Sequence, residues 1–166
     1  MLMDESVPDY FTRKFVVDLA PIKATHQSAL RVMRRKDGTS FVGKYDKGPV
    51  KRWMEDFERL ASIHKPDKPF DGPLELTLWF GFPLILSDKG QTGPMPTRPD
   101  FDNLAKSVCD SLTKCGFWHD DSQVVFGKVM KFRTPKPFIG ISIGQCKLLD
   151  ELYIETVRHF LTDARK

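Results

Sequence analysis

Long apolar runs, paired cysteines and a strong excess of one charge are all missing from this 166-residue chain, and each absence removes a class of protein. No stretch approaches the roughly 18 consecutive apolar residues of a membrane span, and the acidic opening MLMDESVPDY carries no apolar signal core; a soluble protein that stays in the cytoplasm is expected. Cys109, Cys115 and Cys146 form no CxxC pair and leave an odd number, which argues against a disulfide framework or a zinc site and for a reducing compartment. No internal repeat or low-complexity tract is visible. With 26 Lys and Arg against 22 Asp and Glu, the net charge of +4 is too small by itself to name a polyanionic partner.

What is there is a globular composition, 40% apolar with 13 Phe and 3 Trp, enough for one domain with a real core. The basic charge is concentrated. Between Arg31 and Arg52, eight basic residues face only Asp37 and Asp46, a local excess that attracts phosphate or else is a solvated basic face.

The order of elements follows from periodicity. Residues 14–19 (KFVVDL) read as a first strand stopped by Pro21. In ALRVMRRKDGTSFVG the Asp37-Gly38 pair separates two β-prone pieces, a basic hairpin with Arg34, Arg35 and Lys36 near its turn. After the breakers Gly48-Pro49, the residues Val50, Trp53, Met54, Phe57, Leu60 and Ala61 recur at helical spacing. PLELTLWFGFP reads as a strand in the middle of the sheet, with Leu74, Leu76 and Leu78 on one face. SDKGQTGPMPTRP, residues 87–99, is too rich in Gly and Pro for regular structure and reads as a mobile loop. Helical spacing resumes over 101–115 with an apolar stripe of Phe101, Leu104, Ala105, Val108, Leu112 and Cys115, capped by Gly116. QVVFGKVMKF and FIGISIG then form two strands paired as a hairpin. Residues 1–12 are expected to be a flexible tail, and 147–166 a helical extension through Leu149, Leu152, Thr156 and Phe160. The fold class is α+β: one domain, a mixed sheet of about four to five strands with two to three helices packed against it.

The chemistry is concentrated in RPDFDNLAKSVCDSLTKCGFWHDDSQVV, residues 98–125, where Asp100, Asp102, Asp110, Asp120 and Asp121 accompany Lys106 and Lys114. Asp102, Lys106 and Asp110 share a helix face opposite the apolar stripe. Hydrolysing a phosphodiester requires charge neutralisation on the phosphoryl oxygens and an activated water, which carboxylate-held Mg²⁺ supplies, and a nearby lysine can stabilise transition-state charge. Each piece also has a plain reading. Asp100 could be an N-cap, Asp102 a carboxylate favoured by the helix dipole, Asp102 and Lys106 a surface ion pair, Asp120-Asp121 a turn, His119 a solvated histidine and Asp110 a surface residue.

The ordered run Arg98-Pro99-Asp100-Phe101-Asp102-Asn103-Leu104, then Lys106, Asp110 and Leu112, then Gly116-Phe117-Trp118, Asp120-Asp121 and Gln123-Val124 resembles the RusA family of Holliday-junction resolvases. That resemblance implies a small homodimeric nuclease using Mg²⁺, with Mn²⁺ substituting, to nick a four-way DNA junction symmetrically, with no organic cofactor. It places the metal-site aspartates on Asp100, Asp102 and Asp121, Asp120 as an adjacent acidic position, and the essential lysine on Lys106. It also suggests a phage or prophage gene expressed in a bacterial cytoplasm. DNA contacts are expected by charge at Lys23, Arg31, Arg34, Arg35, Lys36, Lys44 and Arg98. The competing readings are a non-catalytic binder of branched DNA and a different metal phosphoesterase.

Overall fold

Leu74, Leu76, Leu78, Phe80 and Phe82 alternate along a ten-residue strand, and all five are buried, so this strand organises the core. Each such side chain contributes about 1.5–3 kcal/mol on leaving water. The computed structural model describes residues 12–23, 29–45 and 48–146, together with Arg158 and Thr162. Its strands are β1 (Thr12–Val17), β2 (Ala29–Arg34), β3 (Ser40–Tyr45), β4 (Leu74–Pro83), β5 (Gly93–Pro94), β6 (Val124–Thr134) and β7 (Phe138–Gln145); its helices are α1 (Gly48–Ala61) and α2 (Phe101–Cys115). Five strands form one mixed sheet in the order β1-β7-β4-β6-β5, with β4 central as the sequence suggests. The fold class is the expected one, α+β with a five-stranded sheet and two helices.

The helices cover one face of that sheet. Val50, Phe57 and Ala61 of α1 and Leu104, Val108 and Leu112 of α2 join the inward side chains of β4, and Ile139, Ile141 and Ile143 of β7, in one core cluster. Lys114 of α2 meets Glu58 of α1 at 2.7 Å across the helix pair. The strand expected at 14–19 lies two residues earlier, at 12–17, where it pairs with β7 from Thr12 opposite Gly144 to Val17 opposite Ile139. Gly48 and Pro49, expected to precede α1, are its first residues; proline tolerates the first turn, where its missing N–H has no partner to lose. On α2 the deep face runs through Leu104, Ser107, Val108, Ser111 and Leu112, whereas Phe101, placed in the apolar stripe by spacing alone, is 63% exposed. Among the residues of the expected C-terminal helix only Arg158 and Thr162 are described, both helical; the expected N-terminal tail lies outside the described residues except for Thr12.

The expected hairpin between the last two strands is not formed. β6 pairs in parallel with β4, from Glu75 opposite Phe126 to Pro83 opposite Thr134, and β7 pairs antiparallel on the other edge of β4. A parallel pair needs a long connection, and α2 supplies it between β4 and β6. The link Pro135-Lys136-Pro137 then carries the chain across the end of β4. Gly81 makes room for this crossing: a Cβ there would lie 2.8 Å from the Thr134 methyl and 2.9 Å from the Phe138 ring. Alternation in sequence fixes which side chains face inward but not which neighbour a strand takes.

β2 and β3 form a separate two-stranded ribbon, as the sequence suggests. Its turn is set by Gly38 at φ 85° and by the Asp37 carboxylate, which accepts from the Thr39 N–H and hydroxyl at 2.9 and 2.6 Å. Those bonds hold Asp37 below the usual carboxylate range. The Arg35 guanidinium lies over the Phe41 ring, 5.0 Å from its centroid.

Candidate active site

The segment leading into α2 is more ordered than its composition suggests. Gly93 and Pro94 pair with Arg133 and Phe132 at the sheet edge, Met95 is buried, and Asp88 meets the Arg133 guanidinium at 3.6 Å with both side chains largely covered. Lys131 completes the anchoring from β6: its ammonium donates to the carbonyls of Thr97 at 2.9 Å and Pro99 at 2.7 Å. The Arg98–Pro99 bond is cis. Tertiary partners spread over β6, which composition does not reveal, turn the expected mobile loop of residues 87–99 into a pinned one.

That pinned segment delivers Asp100 to the start of α2. Asp100 is the N-cap residue, with extended backbone (φ −71°, ψ 145°), and its side chain makes no capping hydrogen bond. Two residues on, Asp102 lies in the first turn of α2, exposed. Lys106 follows on the same face, but its ammonium meets Asp110 at 3.2 Å rather than Asp102.

Asp121 reaches this helix through a folded-back turn. Gly116 ends α2 in the left-handed conformation (φ 79°), and the Trp118 indole N–H donates to the Thr113 hydroxyl at 2.6 Å, which turns the chain back along the helix. The short 3-10 turn Asp121–Gln123 follows, and there Asp120 is the capping residue, accepting from the Ser122 N–H at 2.9 Å. That bond holds the Asp120 carboxyl below its usual range. Cys109 reports where Asp121 arrives: its thiol is pushed up to about 12, first by burial, then by the charges of Asp121 and Asp110, with Lys106 opposing. Asp121 therefore lies beside the middle of α2, near Cys109.

The five aspartates of the segment thus divide by what they do. Asp110 pairs with Lys106 and Asp120 caps a turn, whereas the carboxylates of Asp100, Asp102 and Asp121 are exposed and take part in no hydrogen bond or ion pair with a described residue. Oxygen donors of this kind suit a hard divalent cation. They are not gathered into a finished cage, since among the described residues no three acidic, His or Cys side chains stand close enough to hold a metal ion. His119 is exposed with Nε2 3.7 Å from Asp71, in keeping with the solvated reading.

Of the basic residues expected at DNA, Lys23, Arg34, Arg35, Lys36 and Arg98 are exposed. Arg34, Arg35 and Lys36 stand at the end of the ribbon, and Arg98 is next but one to Asp100. Arg31 and Lys44 lie on β2 and β3, their side chains outside what is described. Two residues with work at this site were not singled out from sequence. Lys131 sits in an ordinary alternating strand, and its attachment to the 97–99 carbonyls has no local signal. Gln123 falls inside the motif, yet only the fold shows what its amide holds.

A family model for the endodeoxyribonuclease RusA matches residues 21–144, the span from the loop after β1 to the penultimate residue of β7. The chain belongs to the RusA endodeoxyribonuclease family. It is 34% identical over 97 residues to the uncharacterized protein YqaN of Bacillus subtilis, covering 52% of this chain and 67% of that protein. It is 51% identical over 43 residues to the crossover junction endodeoxyribonuclease RusA of Escherichia coli K12, and equally to that of Enterobacteria phage 82. These shorter matches cover 26% of this chain and 36% of the RusA proteins, so the chain spans about a third of the length of the named resolvases it matches.

Proposed function

We propose that this chain is a metal-dependent endodeoxyribonuclease that resolves four-way DNA junctions by paired nicks, acting as a homodimer. The observation that carries the reading is the division of labour among the aspartates. Asp100, Asp102 and Asp121 have carboxylates with no structural task, and they are the three that the family resemblance assigns to metal. In this reading these three hold Mg²⁺, or Mn²⁺ in its place, with no organic cofactor. The ion supplies charge neutralisation at the phosphoryl group and an activated water. Asp120, committed to its cap, contributes by shaping the turn. Lys106, held by Asp110, stabilises charge on the scissile phosphate. Lys23, the ribbon residues Arg31, Arg34, Arg35, Lys36 and Lys44, and Arg98 beside the acidic site contact phosphates, and so fix register rather than sequence. The setting proposed is a bacterial cytoplasm, from a phage or prophage gene; among the described residues no helix is long and apolar enough to cross a membrane, and one relative is a phage protein.

The test is cleavage of a synthetic four-way junction against linear duplex of the same sequence, with Mg²⁺ or Mn²⁺. Paired nicks in the junction, well ahead of any duplex cutting, are expected, and Asp102→Asn should bind the junction without cutting it. The unconverged carboxylates favour a second reading, a non-catalytic binder of branched DNA. Tight junction binding that Asp102→Asn and Lys106→Met leave unchanged, with no cleavage in either metal, would establish that reading instead.

A further inference from the structure

We propose that Gln123 is a positioning residue for the metal-binding carboxylate of Asp121, an inference that rests on the nuclease reading and adds to it the device that sets the site's geometry. A primary amide has two donors and an acceptor oxygen with two lone pairs, and Gln123 uses all four. Its Oε1 accepts from the backbone N–H groups of His119 at 2.8 Å and Asp120 at 3.1 Å. Its Nε2 donates to the carbonyls of Phe70 at 3.1 Å and Gly72 at 3.2 Å. One side chain therefore joins the turn that carries Asp121 to the segment that enters β4, the central strand.

The arrangement matters because Asp121 has no anchor of its own. Its carboxylate is exposed and bonded to no described residue, so its position is inherited from the turn's backbone. Two side chains hold that backbone by hydrogen bonds. Asp120 closes the turn internally through Ser122, while Gln123 ties it to the segment entering β4, where the exposed His119 Nε2 adds only a 3.7 Å approach to Asp71. The other ends of the same tie are already fixed, since Phe70 donates its N–H to Phe117 at 2.8 Å and bridges to Trp118. A hard cation requires its oxygen ligands within a few tenths of an ångström, and residues behind the ligands that set such distances typically govern metal affinity by about 10- to 100-fold.

Glutamate keeps the size of Gln123 and the acceptor for His119 and Asp120, but at neutral pH it places a carboxylate against the two carbonyls of Phe70 and Gly72. Gln123→Glu should therefore release the turn from β4 without removing its internal cap. Mn²⁺ binding to the protein, followed by loss of the free-ion paramagnetic resonance signal, should weaken at least about tenfold. Junction affinity in EDTA and the circular-dichroism spectrum should stay as in wild type. If Gln123→Glu does not fold, Gln123→Asn, one methylene shorter and able to reach only one side, takes its place with the same expectation. Wild-type Mn²⁺ affinity in the folded variant, or Mn²⁺ and junction affinity falling together, overturns the proposal, as does a wild-type protein that binds no Mn²⁺. Weakened Mn²⁺ binding in the variant, beside a wild type that cuts no junction, keeps the positioning role and rejects the nuclease reading.

Discussion

Cys109 offers a direct measure of the contact on which the site depends, the approach of Asp121 to the middle of α2. Burial and two neighbouring carboxylates raise its thiol from 9.0 to about 12, roughly a thousandfold smaller thiolate fraction at any given pH below 9, or about 4 kcal/mol between the protonated and ionised forms. In a Cys115→Ser, Cys146→Ala background Cys109 is the sole thiol, and its alkylation rate at fixed pH tracks its thiolate fraction. Unit charges about 4–10 Å apart in an effective dielectric near 20 interact by about 2–4 kcal/mol before solvent screening, which at an exposed carboxylate reduces this to about 1 kcal/mol. Asp121→Asn should therefore speed alkylation about three- to tenfold. Lys106→Met, which removes the opposing cation, should slow it, and Asp100→Asn, a mutation at the far end of the helix, should leave it unchanged. If Asp121→Asn has no effect while Lys106→Met does, the turn does not place Asp121 beside Cys109 and the shared site is wrong.

The same thiol makes stability pH-dependent in a defined window. Its folded value is raised, so its contribution is complete below pH 9.0 and is lost as pH climbs towards about 12; chemical unfolding of wild type should weaken across that range by more than in Cys109→Ala. Lys131→Met leaves the carbonyls of Thr97 and Pro99 without their donor, which should cost about 1–3 kcal/mol by urea denaturation and lower cleavage by releasing the segment that carries Asp100. Gly81→Val forces the Thr134 and Phe138 side chains aside at the strand crossing and should destabilise by about 1–3 kcal/mol or more, seen as a lower Tm. Asp110→Asn, which unties Lys106 but removes no free carboxylate, should lower junction cleavage less than Asp102→Asn, and a loss as deep as that of Asp102→Asn would mean that Asp110 itself holds metal.

Elements with strong local signals were legible from the sequence. The α2 boundaries at Phe101 and Gly116, the ribbon turn at Asp37-Gly38 and the central alternation of β4 all follow from period and from residues that only certain backbone conformations accept. Non-local pairings were not. The hairpin expected of β6 and β7 failed because a Pro-rich link between two strands looks the same whether they pair with each other or flank a third. Phe101 looked like core because spacing reports an angle on the helix, and the depth of burial at its first turn depends on what lies opposite.

For the site, the order Asp-x-Asp-Asn-Leu-x-Lys followed by Asp-Asp-x-Gln-Val is a property of the chain itself, and it marked the family and singled out the acidic residues proposed to hold metal. Which carboxylates remain free, and which are consumed by Lys106 or by Ser122, is decided only when distant segments meet. So too are the anchoring of residues 97–99 by Lys131 and of the Asp121 turn by Gln123. Helix faces, turns and caps depend on neighbours within a few residues and so are written locally, whereas the separation between Asp100, Asp102 and Asp121 is set by how α2 and β6 pack against β4, a distance that no run of adjacent residues encodes.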